Sequence, residues 1–203
     1  MADKKQIEIE LRAMFDEEKF NSLKNFLDKN AEYLGQDDKN VHFYIFPDKL
    51  LKISDNISKN SAKLTLKLNR IGQGTDFEEI EFPIEKSDVE KAIKMFNALE
   101  MTDNVISSFQ FRHNYIFKDV ELALKYSLDW KYHLELEIVV EKESQKEEAE
   151  KKIHEVAKEL DVKIMSEKEL KEFIKKLEAE KKMVKAIKRK KLSTCQKKKL
   201  LNI

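Results

Sequence analysis

Three glycines, two prolines and one cysteine are all that 203 residues contain of the types that most constrain a fold. So little glycine excludes the Gly-rich loop that cradles phosphate in P-loop and dinucleotide-binding folds. The lone Cys195 excludes a disulfide framework and a cysteine-based zinc site, and it suits a reducing compartment. The four histidines, His42, His113, His133 and His154, have no metal-ligand spacing. Long apolar runs are missing too: none approaches the roughly 18 residues that a membrane span needs. The opening "MADKKQIEIE" lacks the apolar stretch of a signal peptide. The chain therefore reads as cytoplasmic, without a transmembrane segment.

Hydrophobic residues, at 41%, suffice for a packed core, and charged residues reach 39%. Acids (39) and bases (40) nearly cancel, but unevenly. Residues 181–203 hold ten Lys/Arg and no acid, which leaves 30 bases against 39 acids in residues 1–180. The division is an acidic domain over 1–180 and a basic tail over 181–203. Such a tail suits an anionic partner, or is simply a solvated end. Cys195, within it, has no nearby His or Asn and reads as an incidental thiol.

Hydrophobic periodicity predicts a strand at "IEIELR" (7–12), then a helix after Asp16 as N-cap, with Phe15 and Phe20 as a staple. A hairpin over 41–54 turns at Pro47-Asp48, and further strands follow at "AKLTLKLNR" and "FEEIEFPI". A capping box at Ser87–Glu90 opens a second helix to about Leu99. The stretch "VISSFQFRHNYIFKD" predicts two strands turning near His113-Asn114, which would leave His113 exposed. "VELALKYSL" and "HLELEIVVE" add two more. Capping boxes at Ser144…Glu147 and Ser166…Glu169 start helices over 145–160 and 167–190.

The strands share one habit. Each has an aliphatic face and, at the alternate positions, a face with ionisable groups of both signs. The acids are Glu8, Glu10, Glu79, Glu81, Glu135 and Glu137; the bases are Arg12, Lys63, Lys67, Arg112 and Lys125. Either an open antiparallel sheet leaves this face in water, or about eight strands close into a barrel whose lumen holds the charges. Glutamates recurring at i, i+2 on three strands repel one another unless a cation sits between them. A hard divalent ion does so, taking carboxylate oxygens and sharing phosphate oxygens, while Arg and Lys grip the phosphates. Trp130, Tyr132 and His133 could stack on a base, although such a cluster is more often packing.

"EIELR", "LTLK", "RHNY" (Arg112 to Tyr115) and the late "ELE" resemble, in that order, the motifs of the CYTH family, the triphosphate tunnel metalloenzymes, over roughly residues 6–180. That family includes class IV adenylyl cyclases, thiamine triphosphatases and inorganic triphosphatases. The resemblance implies an α+β fold: a closed eight-stranded antiparallel barrel, with flanking helices and a C-terminal helical extension. It implies that Glu8 and Glu10 help to bind Mg²⁺ or Mn²⁺, with Glu135 and Glu137 as the late carboxylate pair. Arg12, Lys52, Lys67, Arg112 and Lys125 would line the path of a triphosphate or polyphosphate, and Glu79 and Glu81 would be further tunnel acids, with Glu8 and Glu10 beside them in the chemistry. Three positions depart from the family: Arg12 for the signature lysine, Lys52 and Ser54 for an Arg-x-Arg strand, and Gln110 and Arg112 for a Lys-x-Arg.

The implied chemistry is metal-dependent phosphoryl transfer on a triphosphate. Hydrolysis is favoured over cyclisation of ATP to cyclic AMP because it asks for no adenine pocket, and none is identifiable in the sequence. A nucleotide- or polyphosphate-binding module without turnover is the rival. Two intact carboxylate pairs favour the enzyme.

Overall fold

A computed structural model of the protein describes residues 7–68, 76, 77, 79–181 and 183. The side chains of 76 and 77, the rest of the basic tail and Cys195 lie outside the description.

The first strand, β1 (Ile7–Met14), runs into helix α1 (Glu17–Asn30). Asp16 caps that helix, its carboxylate accepting from Lys19 N at 2.9 Å, and Phe15 and Phe20 pack beside the core as the staple requires. Asp16→Ala is expected to cost about 1 kcal/mol in a urea titration. Then come β2 (Glu32–Gln36), β3 (Lys39–Ile45), β4 (Leu50–Asn56), β5 (Ser61–Lys67), β6 (Asp76–Phe77) and β7 (Glu79–Ile84). Helix α2 (Val89–Ala98) leads to β8 (Val105–Phe117), β9 (Val120–Ser127) and β10 (Lys131–Val140). Helix α3 (Lys146–Glu159) follows, and the described chain closes with α4, residues 167–181.

The strands form one antiparallel sheet in the order β6-β1-β10-β9-β8-β3-β4-β5-β7, with β2 added against β8. β7 pairs with β5 at one edge of this path, and β6 pairs with β1 at the other, placing Glu8 opposite Phe77. A single residue separates β6 from β7, so one short stretch of chain meets both edges and the sheet curls into a tunnel. Of the two arrangements open at the level of sequence, this is the curled one, a ten-stranded half-barrel with two ends rather than a closed ring of eight.

The aliphatic faces point outward and are covered by helices. Leu11, Leu122, Leu124, Leu134 and Leu136 pack against Leu23 and Leu27 of α1 and Ile153 and Val156 of α3. A second cluster, with Tyr44, Ile53 and Leu64, packs on Val89 and Ile93 of α2. The charged faces are thereby turned inward.

Four local expectations fail. The two strands foreseen at 105–118 are one, because β3, β2 and β9 between them occupy both sides of β8. That pairing outweighs the turn preference of His113-Asn114. His113 is half-buried against Tyr33 rather than exposed. The turn comes at Lys118-Asp119, both left-handed (φ 52° and 58°), as a two-residue hairpin requires. Ser87 caps nothing: a 3₁₀ turn over Lys86–Asp88 precedes α2, and Asp88 takes the cap position without a side-chain bond. A 3₁₀ turn over Glu143–Gln145 likewise displaces the start of α3 from Ser144. The Ser166…Glu169 box is formed, with reciprocal bonds of 2.8 and 3.2 Å.

Candidate active site

Period-two alternation puts the ionisable positions of eight strands onto one inner surface. They enclose a tunnel of about 400 Å³ lined by seven acidic and seven basic side chains. All twelve charged residues singled out above line it: Glu8, Glu10, Arg12, Lys52, Lys63, Lys67, Glu79, Glu81, Arg112, Lys125, Glu135 and Glu137.

The acids divide by register. Glu10 lies opposite Glu137 in the β1–β10 ladder, and Arg12 lies opposite Glu135. Carboxylate oxygens of Glu8, Glu10 and Glu137 consequently converge within 4.8 Å of one another. Burial, then repulsion by Glu8 and Glu10, pushes Glu137 up to about 8. Burial likewise raises Glu8 to about 7, Lys67 opposing and Glu79 and Glu10 reinforcing it. Glu135 behaves oppositely. Burial would raise it, but Lys125 at 2.8 Å and Arg12 at 3.3 Å hold it well below the usual carboxylate range. Glu79 is ion-paired with Lys67 and lies 3.8 Å from Lys52. Glu81 bonds Lys63 at 2.7 Å and Thr65 at 3.0 Å nearer the rim.

Three buried or half-buried carboxylates are hard oxygen donors and fit a hard divalent cation. Glu10 Oε1 makes no hydrogen bond, although the Arg12 guanidinium abuts it, so a lone pair is left for such an ion. Glu135, fully engaged by its cations, offers less.

The basic groups are held by these acids. Lys67 reaches Glu8 at 3.4 Å, Glu10 at 3.5 Å and Glu79; burial opposes its charge, but the three carboxylates overcome it and raise its pKa. Arg12 is buried between Glu10 and Glu135, and its Nη1 has no hydrogen-bond partner. Arg112 donates to Asn114 at 2.6 Å and faces Asp37 at 3.6 Å.

Lys39 lines the tunnel as well, and the sequence reading passed over it. It bonds Asp37 at 2.7 Å and lies opposite Gln110 on β8. The "QDDKN" stretch lies before the hairpin expected over 41–54. Its signal was the alternation Lys39, Val41, Phe43, which continues the inward face two residues further. Glu121 is a second omission, on β9 and 3.7 Å from Arg112.

Burial lowers Lys39 and Lys52 to about 8, helped by Arg112 and Lys67 respectively. Both would be largely neutral by pH 9, so the tunnel's affinity for a polyanion is expected to fall at least about tenfold between pH 7 and 9. The fold itself gains stability from about pH 8 towards the unfolded value of 10.5, because the unfolded chain still binds protons that the folded one has released. Weaker binding with an undiminished melting temperature would separate lost contacts from unfolding. An affinity unchanged across this range would refute the reading of these two lysines.

A family model, CYTH domain, matches residues 6–168. Among solved structures, the PH1012 protein of Pyrococcus horikoshii OT3 is 25% identical, with a TM-score of 0.65 over 77% of this chain and 91% of that one. A conserved protein from Pyrococcus furiosus is 27% identical, with a TM-score of 0.64 over the same shares. A Hippeastrum protein, described as a candidate adenylyl cyclase with a dominant triphosphatase activity, is 17% identical, with a TM-score of 0.56 over 78% of this chain and 89% of that one. No curated protein matches significantly.

Proposed function

The chain belongs to the CYTH domain family, and from that premise we propose that it is a metal-dependent enzyme that hydrolyses a triphosphate. The observation that carries this reading is the convergence of Glu8, Glu10 and Glu137 beside the buried cations of one tunnel. Phosphoryl transfer demands little covalent chemistry from a protein and much positioning of charge, which is what this lining offers.

Glu8, Glu10 and Glu137 are the residues that would hold Mg²⁺ or Mn²⁺. When bound, such a cation offsets charge on the phosphate oxygens and favours attack by water. Lys39, Lys52, Lys67, Arg112 and Lys125 bind the remaining phosphate oxygens and stabilise charge on the leaving group. The free Nη1 of Arg12 gains its missing acceptor from the same phosphates. Glu79 fixes Lys67 and Lys52, and Glu135 fixes Lys125 and Arg12, so these carboxylates orient cations rather than touch substrate. Glu81, held by Lys63 and Thr65, orients the rim in the same way.

The test is ³¹P NMR of the protein with Mg²⁺ or Mn²⁺ and either ATP or tripolyphosphate, with Glu10→Gln as control. Release of phosphate or pyrophosphate that disappears in the control supports the reading. Cyclic AMP with pyrophosphate would make the enzyme a cyclase instead. Binding without turnover of either compound would replace the enzyme with a binding module.

A further inference from the structure

Strand alternation also sets aromatic residues side by side on the outside of the sheet. Phe111 of β8 lies opposite Tyr126 of β9, and Tyr126 lies opposite Tyr132 of β10. Phe109 extends the row at one end and Phe20 of α1 at the other, with successive ring centroids 4.6 to 6.1 Å apart. Of the five, only Phe20 belongs to the packed clusters described above. Phe109 and Phe111 are 39% and 46% exposed, an apolar surface that gains from being covered.

Acids border the row. The Tyr132 hydroxyl donates to Glu17, Asp129 stands in the turn that joins Tyr126 to Tyr132, and Glu90 shares a recess with Phe109. A cover must therefore bring positive charge together with apolar groups, since aromatic faces attract cations and acids repel an anionic partner. A second copy of the chain asks for more than the row offers. Phe109 and Phe111 together expose roughly 200 Å², against about 800 Å² that each partner buries in a stable complex. A segment tethered beside the row needs far less, because the tether holds it at a high local concentration.

The chain supplies such a segment. Lys181, the last residue of α4, is ion-paired with Asp129, which puts the start of the basic tail beside the row. Residues 184–203 hold eight Lys/Arg and no acid, with Val184, Ile187 and Leu192 interspersed among the first of them. Ten residues reach up to about 35 Å, enough to run the length of five rings. The family model stops at residue 168, so the tail is outside what the family accounts for.

We propose that residues 184–192 of the chain's own tail dock along this aromatic row, with lysine and arginine over the rings and aliphatic side chains against Phe109 and Phe111. The tail's charge is then satisfied within the molecule and is not offered to an anionic partner. The inference is independent of the triphosphate reading.

The experiment uses the sole cysteine, Cys195, which lies just beyond this segment and takes a nitroxide label in the full chain. Amide spectra of the ¹⁵N protein are compared with the label oxidised and reduced. The signals of Phe109, Phe111 and Tyr126 are expected to lose most of their intensity, while those of Ala62 and Leu64 on β5, three strands from β8, keep theirs. A chain carrying Lys188→Glu, Arg189→Glu, Lys190→Glu and Lys191→Glu, changes confined to the tail, should recover the lost intensity. Phe111→Ser should recover it with the tail intact. A second sample mixes nitroxide-labelled chain without ¹⁵N and ¹⁵N chain without nitroxide. Fading in that mixture would seat the tail on a second copy and overturn the proposal. Absent or uniform fading, or fading that survives charge reversal, would overturn it as well.

Discussion

Glu10→Gln is expected to lower kcat/KM for triphosphate hydrolysis by at least about a thousandfold, roughly 4 kcal/mol of lost transition-state stabilisation. Glu10 is 5% exposed and stands where the two halves of the site meet, with Glu8 and Glu137 on one side and Arg12 and Lys67 on the other. The amide keeps the shape and removes the charge, so the acid trio loses its central member. Calorimetric titration with Mn²⁺ should show the loss independently, as an affinity at least about tenfold weaker. Arg12 retains Glu135, and Lys67 retains Glu8 and Glu79, so the melting temperature should move little. A variant that kept a tenth of the wild-type rate would remove Glu10 from the reaction.

Arg12→Ala should instead be seen first in stability. The guanidinium is 3% exposed between two carboxylates and packs over Trp130. Truncation leaves Glu10 with Lys67 alone and Glu135 with Lys125 alone, in a place that water reaches poorly. Breaking one partner out of a buried ion-pair network costs about 3–5 kcal/mol. For a chain of this length that is roughly a 10 °C fall in melting temperature. Arg12→Lys keeps the charge but gives up the two-pronged grip, and should lose less than half as much. Thermal unfolding of the three proteins at one pH checks the order, and an alanine variant as stable as wild type would refute the network.

Much of this was legible in the chain because strand faces alternate strictly. Glu8, Glu10 and Arg12 could be assigned to one side of β1 from spacing alone, and the same holds for Lys63 and Lys67 on β5. Spacing could not say which carboxylates meet. The late pair Glu135 and Glu137 looks symmetrical in sequence, but the β1–β10 register sets Glu137 opposite Glu10 and Glu135 opposite Arg12. One step of two residues thus separates a group crowded by like charge from one clasped by bases. The undivided β8 escaped notice because a His-Asn pair favours a turn locally, and only partners distant in sequence overrule it. Lys39 was hidden by the polar run before it. Its place opposite Gln110 brings a positive charge to the tunnel from the neighbouring strand.

The pairing of β1 with β10 also governs how the protein comes to exist. Ile7 must find Val140, so β1, paired before then only with the two residues of β6, lacks its long ladder until β10 has been made. Contacts this distant in sequence slow folding, and an unpaired strand edge left waiting invites aggregation. Glu8 and Glu10 ride on that early strand and Glu137 on the late one, so the acid trio exists only when both have met. A divalent ion would then be a ligand of the completed tunnel alone. It would slow unfolding without speeding the search, and its first appearance in a refolding trace would time the moment at which the two strands join.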